Sequence, residues 1–138
     1  MQAMIQLILH LIGDYVTQSH WMAQNKTKSN AAALAHATVY AIPFSFFVSS
    51  QAWLIIWATH FFIDRFRLAR LVVMSKNIWG DPDWWNLSNR EVWMKMDKYN
   101  TPTGYPEDSP SFLSVWLLIA ADNTLHLAIN YAAIAFFP

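Results

Sequence analysis

Three histidines lie four residues from an aspartate, each pair inside a largely apolar helical stretch: His10/Asp14, His60/Asp64 and Asp122/His126. Residues i and i+4 share a helix face, so each pair presents a nitrogen and an oxygen side by side. The composition alone yields roughly 0.5 such pairs, so three of them reflect design rather than abundance. A fourth histidine, His36, lies in a further apolar segment. Ionisable groups in apolar surroundings are costly unless they pair or bind metal. The chain is thereby restricted to folds that bring polar stripes from several helices together. The inference is a metal site inside a helical membrane bundle.

Composition supports that environment. Apolar residues make up 55% and charged residues 13%, the latter about half the ~25% usual in soluble domains. The length of 138 residues suits one domain, and the zero net charge gives no footprint for nucleic acid. With no cysteine, a disulfide framework, a thiolate zinc site and a cysteine nucleophile are excluded. The N-terminus lacks a basic region, and Gly13-Asp14-Tyr15 is not a small-residue cleavage site, so no signal peptide is expected. Three glycines could scarcely build a nucleotide-binding loop.

The expected fold is all-α, an integral membrane bundle of four transmembrane helices forming a single transmembrane domain over 1–138. Helix one is expected from about Gln2 to Met22, followed by the polar stretch Gln24–Asn30. Helix two is expected from about Ala31 to Val48 with a kink at Pro43. Ser49-Ser50-Gln51 form a turn, and helix three follows from about Ala52 to Val73. Helix four is expected from Ser111 to Phe137, started by Pro110. At ~1.5 Å per residue these segments match a ~30 Å hydrocarbon core. The stretch from about 76 to 110 is polar and holds four of the six prolines. Its Ser88-Asn89-Arg90-Glu91 is a capping-box pattern that predicts a short helix to about Tyr99. Trp84, Trp85 and Trp93 suggest an interfacial flap at the lipid–water boundary.

Basic residues set the orientation. Lys26 and Lys28 flank helices one and two, and Arg65, Arg67, Arg70 and Lys76 close helix three. The positive-inside rule places these regions in the cytoplasm and both termini outside, in a bacterial inner membrane. Measured from those cytoplasmic ends, the His and Asp residues fall in one zone ~8–22 Å deep. Helix one carries the stripe Gln6, His10, Asp14 and Gln18; His36 shares a face with Tyr40, and His126 with Asn130. The candidate metal ligands are therefore His10, Asp14, His36, His60, Asp64, Asp122 and His126. This set suits two metals bridged by carboxylate, or one metal with supporting partners. Nitrogen and oxygen donors without sulfur suit zinc, manganese or iron(II). His20 stands outside the stripes and reads as a surface residue.

Several spaced motifs carry a family likeness. His-Leu-Ile-Gly-Asp-Tyr-Val-Thr-Gln (10–18), Asn-Lys-Thr-Lys-Ser (25–29), His-Ala-Thr-Val-Tyr (36–40), Thr-His-Phe-Phe-Ile-Asp-Arg-Phe-Arg (59–67) and Asp-Asn-Thr-Leu-His-Leu (122–127) are the relevant runs. Through them the chain resembles the bacterial and phage membrane family catalogued as domain of unknown function 3307 (DUF3307), over nearly its whole length. That resemblance implies a small integral membrane protein and no particular activity. In helix-borne His/Asp pattern only, the chain is similar to bacterial membrane-bound metal-dependent hydrolases.

Three functions are weighed. The first is a metal-dependent hydrolase opening to the cytoplasmic leaflet and acting on a lipid-like or phosphoester substrate. Asp14, Asp64 and Asp122 are its candidate catalytic carboxylates, with one left as general base. Lys26, Arg67, Gln18 and Tyr40 are candidate contacts to an anionic, lipid-like molecule. The segment from 76 to 110 would cover the mouth, and no Gly-x-Ser-x-Gly competes. The second is a divalent-cation or proton transporter or channel, for which a homo-oligomer supplies the pore. The third is a phage or host membrane effector with a purely structural polar core. The lipid bilayer is a partner in all three.

Overall fold

Serine hydroxyls punctuate the first half of the chain. In this computed structural model, which describes residues 2–82 and 88–138, Ser19, Ser29 and Ser49 each adopt extended backbone. Each accepts through Oγ from the amide three residues on, Met22, Ala32 or Ala52, at 3.3–3.4 Å. A side-chain acceptor at this position satisfies one of the orphaned N–H groups of a first helical turn. The caps open α2 (His20–Asn25), α3 (Asn30–Ala41) and α4 (Ser50–Phe66). The other helices are α1 (Gln2–Leu11), α5 (Leu68–Trp79), α6 (Asn89–Tyr99) and α7 (Ser111–Phe136), and no strand occurs among the described residues. The chain is all-α.

Helix one departs from expectation. It does not run unbroken to Met22. After Leu11 the helix widens into a π segment, Ile12–Val16, in which the Thr17 amide reaches back five residues to the Ile12 carbonyl at 2.9 Å. The Thr17 hydroxyl donates to the Gly13 carbonyl at 3.1 Å, and Ser19 then starts a new helix. Such a bulge inserts one residue and re-aims those around it. Here Gly13 and Asp14 turn inward and are buried. Glycine is required at 13 by close approach, since a Cβ there would lie 2.4 Å from Cδ2 of Tyr40.

Helix two is expected to continue through a kink at Pro43 to Val48; instead regular helix ends before the proline, whose missing N–H and ring cannot continue it. α3 stops at Ala41 and tightens into a 3₁₀ turn over Pro43–Phe46. The Ala41 carbonyl is taken by the indole N–H of Trp53 at 2.8 Å. Helix three also differs. It ends at Phe66 because Arg67 adopts left-handed backbone (φ 54°, ψ 46°), and α5 restarts at Leu68 and runs to Trp79. α6 follows the capping box as read, with the Glu91 carboxylate accepting from the Ser88 amide (2.8 Å) and hydroxyl (2.5 Å).

The chain divides into two compact units, Met1–Arg67 with Thr124–Pro138, and Leu68–Asn123. In the first, Ala32, Ala33, Ala37 and Ala41 of α3 are fully buried. Small residues of this kind let helix backbones approach closely. Its apolar core is Leu9, Tyr40, Phe44, Ala52, Ile56 and Ala133. Around that small core lie buried polar groups, while Leu7, Val16, Phe46, Leu54 and Phe62 are exposed. In the second unit, Arg70 donates to the Thr101 carbonyl (2.6 Å) and to Asn100 Oδ1 (2.5 Å). Asn77 Nδ2 donates to the carbonyl of Gly104, whose φ of +78° suits glycine. Lys95 pairs with Asp81. The expected flap thus begins as α5 and contains α6; Trp84 and Trp85 lie outside the described residues. Of the four expected spans, one helix among the described residues, α7, is long and apolar enough to cross a membrane.

Candidate metal centre

Within the first unit, four side chains from three separate elements meet. Asp14 comes from the π segment, His36 from α3, and His60 and Asp64 from adjacent turns of α4. His36 Nε2 lies 3.2 Å from Asp14 Oδ1 and 3.1 Å from Asp64 Oδ2. His60 Nε2 lies 3.4 Å from Asp14 Oδ1 and 3.2 Å from Asp64 Oδ2. The two Nε2 atoms are 2.9 Å apart. Side-chain exposure is 0% for His36, 1% for His60, 4% for Asp64 and 8% for Asp14. This near-complete burial leaves water unable to stabilise the group.

The spacing decides what the group can do. Metal–ligand bonds of ~2.0–2.1 Å in a tetrahedron put neighbouring donor atoms about 3.3 Å apart. Five of the six edges of this set run from 2.9 to 3.4 Å. Hydrogen bonding accounts for the arrangement poorly. Each Nε2 carries at most one proton or one lone pair, yet each faces two carboxylate oxygens and the other ring nitrogen. A cation at the middle satisfies all four atoms at once. These buried His and Asp groups can hold a metal ion, and their donor chemistry suits zinc, manganese or iron(II).

A fixed surround holds the rings. Tyr40 stacks on His60, centroids 3.6 Å apart and planes 17° from parallel. Its hydroxyl accepts from Asn130 Nδ2 at 2.7 Å and is hydrogen-bonded to His10 Nδ1 at 2.9 Å. His10 Nδ1 is also 3.5 Å from Asp14 Oδ2. His126 of α7 has its ring centroid 4.3 Å from that of His60 and forms a second buried ligand-capable group with His60 and Asp64. Lys26, at the end of α2, sets its ammonium 2.9 Å from Asp64 Oδ2 and 3.3 Å from His36 Nε2.

The sequence-derived set is thus sorted by position. His36, His60, Asp14 and Asp64 share one centre; His126 adjoins it, and His10 supports it through Tyr40 and Asp14. Asp122 stands half-buried one turn before His126 on α7, within the second unit. Among the expected substrate contacts, Tyr40 is fully buried with its hydroxyl engaged inside the core. Gln18 is half-buried beyond the π segment, and Arg67 is exposed at the end of α4. Lys26 is at the ligands themselves. From the sequence, Lys26 reads as a topology determinant and a steering charge; its place four residues before the Asn30 start of the His36 helix is the signal that it could reach the ligands. Arg65 likewise does more than set topology, donating to Asn30 Oδ1 (2.6 Å) and the Thr27 carbonyl (3.0 Å).

Fold and site together define a class of small all-helical proteins with a buried, ion-capable centre of imidazoles and carboxylates. Residues 3–81 match the family described as Protein of unknown function (DUF3307), and the chain belongs to that family. The match takes in Asp14, Lys26, His36, His60 and Asp64, and it stops short of the 122–127 motif. No curated protein and no solved structure matches the chain, so the looser likeness to metal-dependent hydrolases has no counterpart there.

Proposed function

We propose that this protein is a membrane-embedded, metal-dependent hydrolase that cleaves a lipid-like phosphoester or ester from the cytoplasmic side. The carrying observation is the near-tetrahedral spacing of His36, His60, Asp64 and Asp14 in a buried site. His36, His60 and Asp64 form the tightest face, with edges of 2.9–3.2 Å, and are the ligands. Asp14 has the longest edge, 3.4 Å, and the most exposed carboxylate of the four; it is the donor that would yield its vertex to water and serve as that water's general base. Three protein ligands with one open vertex is the usual catalytic pattern. Held by His36, His60 and Asp64, a divalent ion would make water acidic near neutral pH and stabilise developing negative charge. Asp14 takes the proton from the attacking water, and His10 beside Asp14 Oδ2 orients that carboxylate.

Membrane residence rests on where apolar surface lies. α7 is 26 residues long, and only 11% of its most apolar stretch is buried, unlike the core helix of a soluble protein. Leu11, Tyr15 and Val16 flank the Asp14 segment and are exposed, so a substrate with hydrocarbon chains can approach from the bilayer. Exposure of Asp14 and Lys26, the least buried groups at the centre, marks their side as the entrance.

One observation favours ion transport as a second reading. A cavity of about 50 Å³ lies against Gln6, Leu9 and Phe47, and the Gln6 side-chain oxygen is buried there without a hydrogen-bond partner. Gln6, His10, Tyr40 and Asn130 then extend the polar line past the centre.

Elemental analysis with lipid-phosphoester hydrolysis in detergent tests the proposal. Purified protein should carry close to one equivalent of metal, and Asp64→Asn should lose it. Asp14→Asn should keep the metal and lose about 10²–10⁴-fold in turnover. Metal retained by Asp64→Asn, or full turnover by Asp14→Asn, overturns the assignment. Metal-driven uptake into proteoliposomes without hydrolysis selects the transport reading.

A further inference from the structure

The Lys26 ammonium sits on two of the atoms assigned to the metal, Asp64 Oδ2 at 2.9 Å and His36 Nε2 at 3.3 Å. Asp64 Oδ2 has lone pairs enough for two partners, but His36 Nε2, in the tautomer that can meet either cation, has one. That lone pair accepts from the lysine or binds an ion, and cannot do both. We propose that Lys26 is a tethered cation that occupies the centre's negative charge in the metal-free protein and is displaced when a divalent ion enters. This inference rests on the metal-centre reading and adds a regulatory step to it.

The surroundings allow this exchange by side-chain rotation alone. The Lys26 backbone amide is bound to the Met22 carbonyl at 2.8 Å, and the following turn is pinned to α4 by Arg65 through Thr27 and Asn30. The lysine stem is long and flexible, and its side chain is 17% exposed, the largest value at the centre. Swinging outward carries the ammonium to the rim on the entrance side. Metal and lysine then present two cationic groups to one incoming molecule, which selects an anionic substrate over a neutral one. Metal loading is consequently weaker and more reversible than the ligand set alone would give. By linkage, any anion that holds Lys26 at the rim tightens metal binding.

Zinc alone is the probe. Its affinity for the purified protein in detergent is measured by competition with a chelating dye, for wild type, Lys26→Met and Lys28→Met. In parallel, acylation of Lys26 by an amine-reactive reagent is read by mass spectrometry with and without zinc. Lys26→Met should bind zinc about tenfold or more tightly than wild type, with Lys28→Met unchanged. Zinc should raise Lys26 acylation severalfold in the wild-type protein. If wild type binds zinc and Lys26→Met binds no tighter, the exchange is overturned while the metal centre stands. If neither protein binds zinc, the centre itself falls and the exchange with it. Should Lys26→Met not fold, the acylation decides: unchanged or reduced labelling with zinc refutes displacement.

Discussion

At the residue scale, Tyr40 shows how one side chain holds two sets of groups. Its ring lies flat on His60, and its hydroxyl ties Asn130 of α7 to His10 of α1. These are separable contributions. Tyr40→Phe keeps the stacked ring and removes the oxygen, taking the acceptor from the buried Asn130 amide N–H and one of its contacts from His10, which keeps Asp14. A group stranded in this way costs about 1–3 kcal/mol. Thermal denaturation in detergent should therefore show Tyr40→Phe destabilised by that amount, with metal content per protein unchanged because His60 keeps its stacking. Loss of metal at preserved stability would contradict the division. The sequence revealed the shared face of His36 and Tyr40 but not the partner on α7. Spacing along a helix reports direction, whereas the partner of a hydroxyl depends on which helix packs opposite.

At the element scale, helix ends carry the departures from what the sequence announced. The Ser88–Glu91 box was legible and Pro43 was read as a kink, but the serine caps were not read, although they are the same local side-chain-to-backbone chemistry: helix one was expected to run through Ser19, and Ser49 stood in a turn. The π segment and the break at Arg67 were not legible either. A π bulge depends on Gly13 meeting Tyr40, and left-handed backbone at an arginine has no residue signal. Both breaks matter to the site, since one turns Asp14 inward and the other follows Asp64 by three residues. A non-glycine residue in left-handed backbone costs about 1 kcal/mol. Arg67→Gly should therefore raise stability by about 0.5–1 kcal/mol, read as a higher melting temperature. The α6 cap makes a pH prediction. The Ser88 hydroxyl, then the Ser88 amide, holds the Glu91 carboxyl below its ordinary value. A depressed folded pKa adds stability above the unfolded value and loses it as pH falls through the folded one. Hydrogen exchange in α6 should thus show less protection as the solution is acidified through and below the ordinary glutamate range. Glu91→Gln should flatten that dependence.

At the scale of the whole molecule, buried imidazoles and carboxylates stand beside a small apolar core while many large apolar side chains are exposed. His10, His36, His60 and His126 are at most 1% exposed, while Met4, Val16, Phe46 and Phe136 are at least 70% exposed. In water such a surface would drive aggregation; the proposed bilayer would match it as solvent and leave the ionisable groups inward. The gathering of His and Asp was legible from the polar stripes, because a stripe on each helix has few other places to go. Which groups share a centre was not legible, because it depends on how each helix is turned and set against its neighbours. Membrane residence has a direct test. Expressed in bacteria, the full chain should stay with the membrane pellet through alkaline carbonate and high salt, and leave it only with detergent. Carbonate strips proteins held by charge but leaves those held by buried hydrocarbon contact, so release by carbonate would remove the lipid-facing role assigned to Val16, Phe46 and Phe136. The metal centre would then have to be explained within an assembly that covers those side chains by protein, and the proposed approach of a lipid-like substrate past Leu11 and Tyr15 would lose its basis.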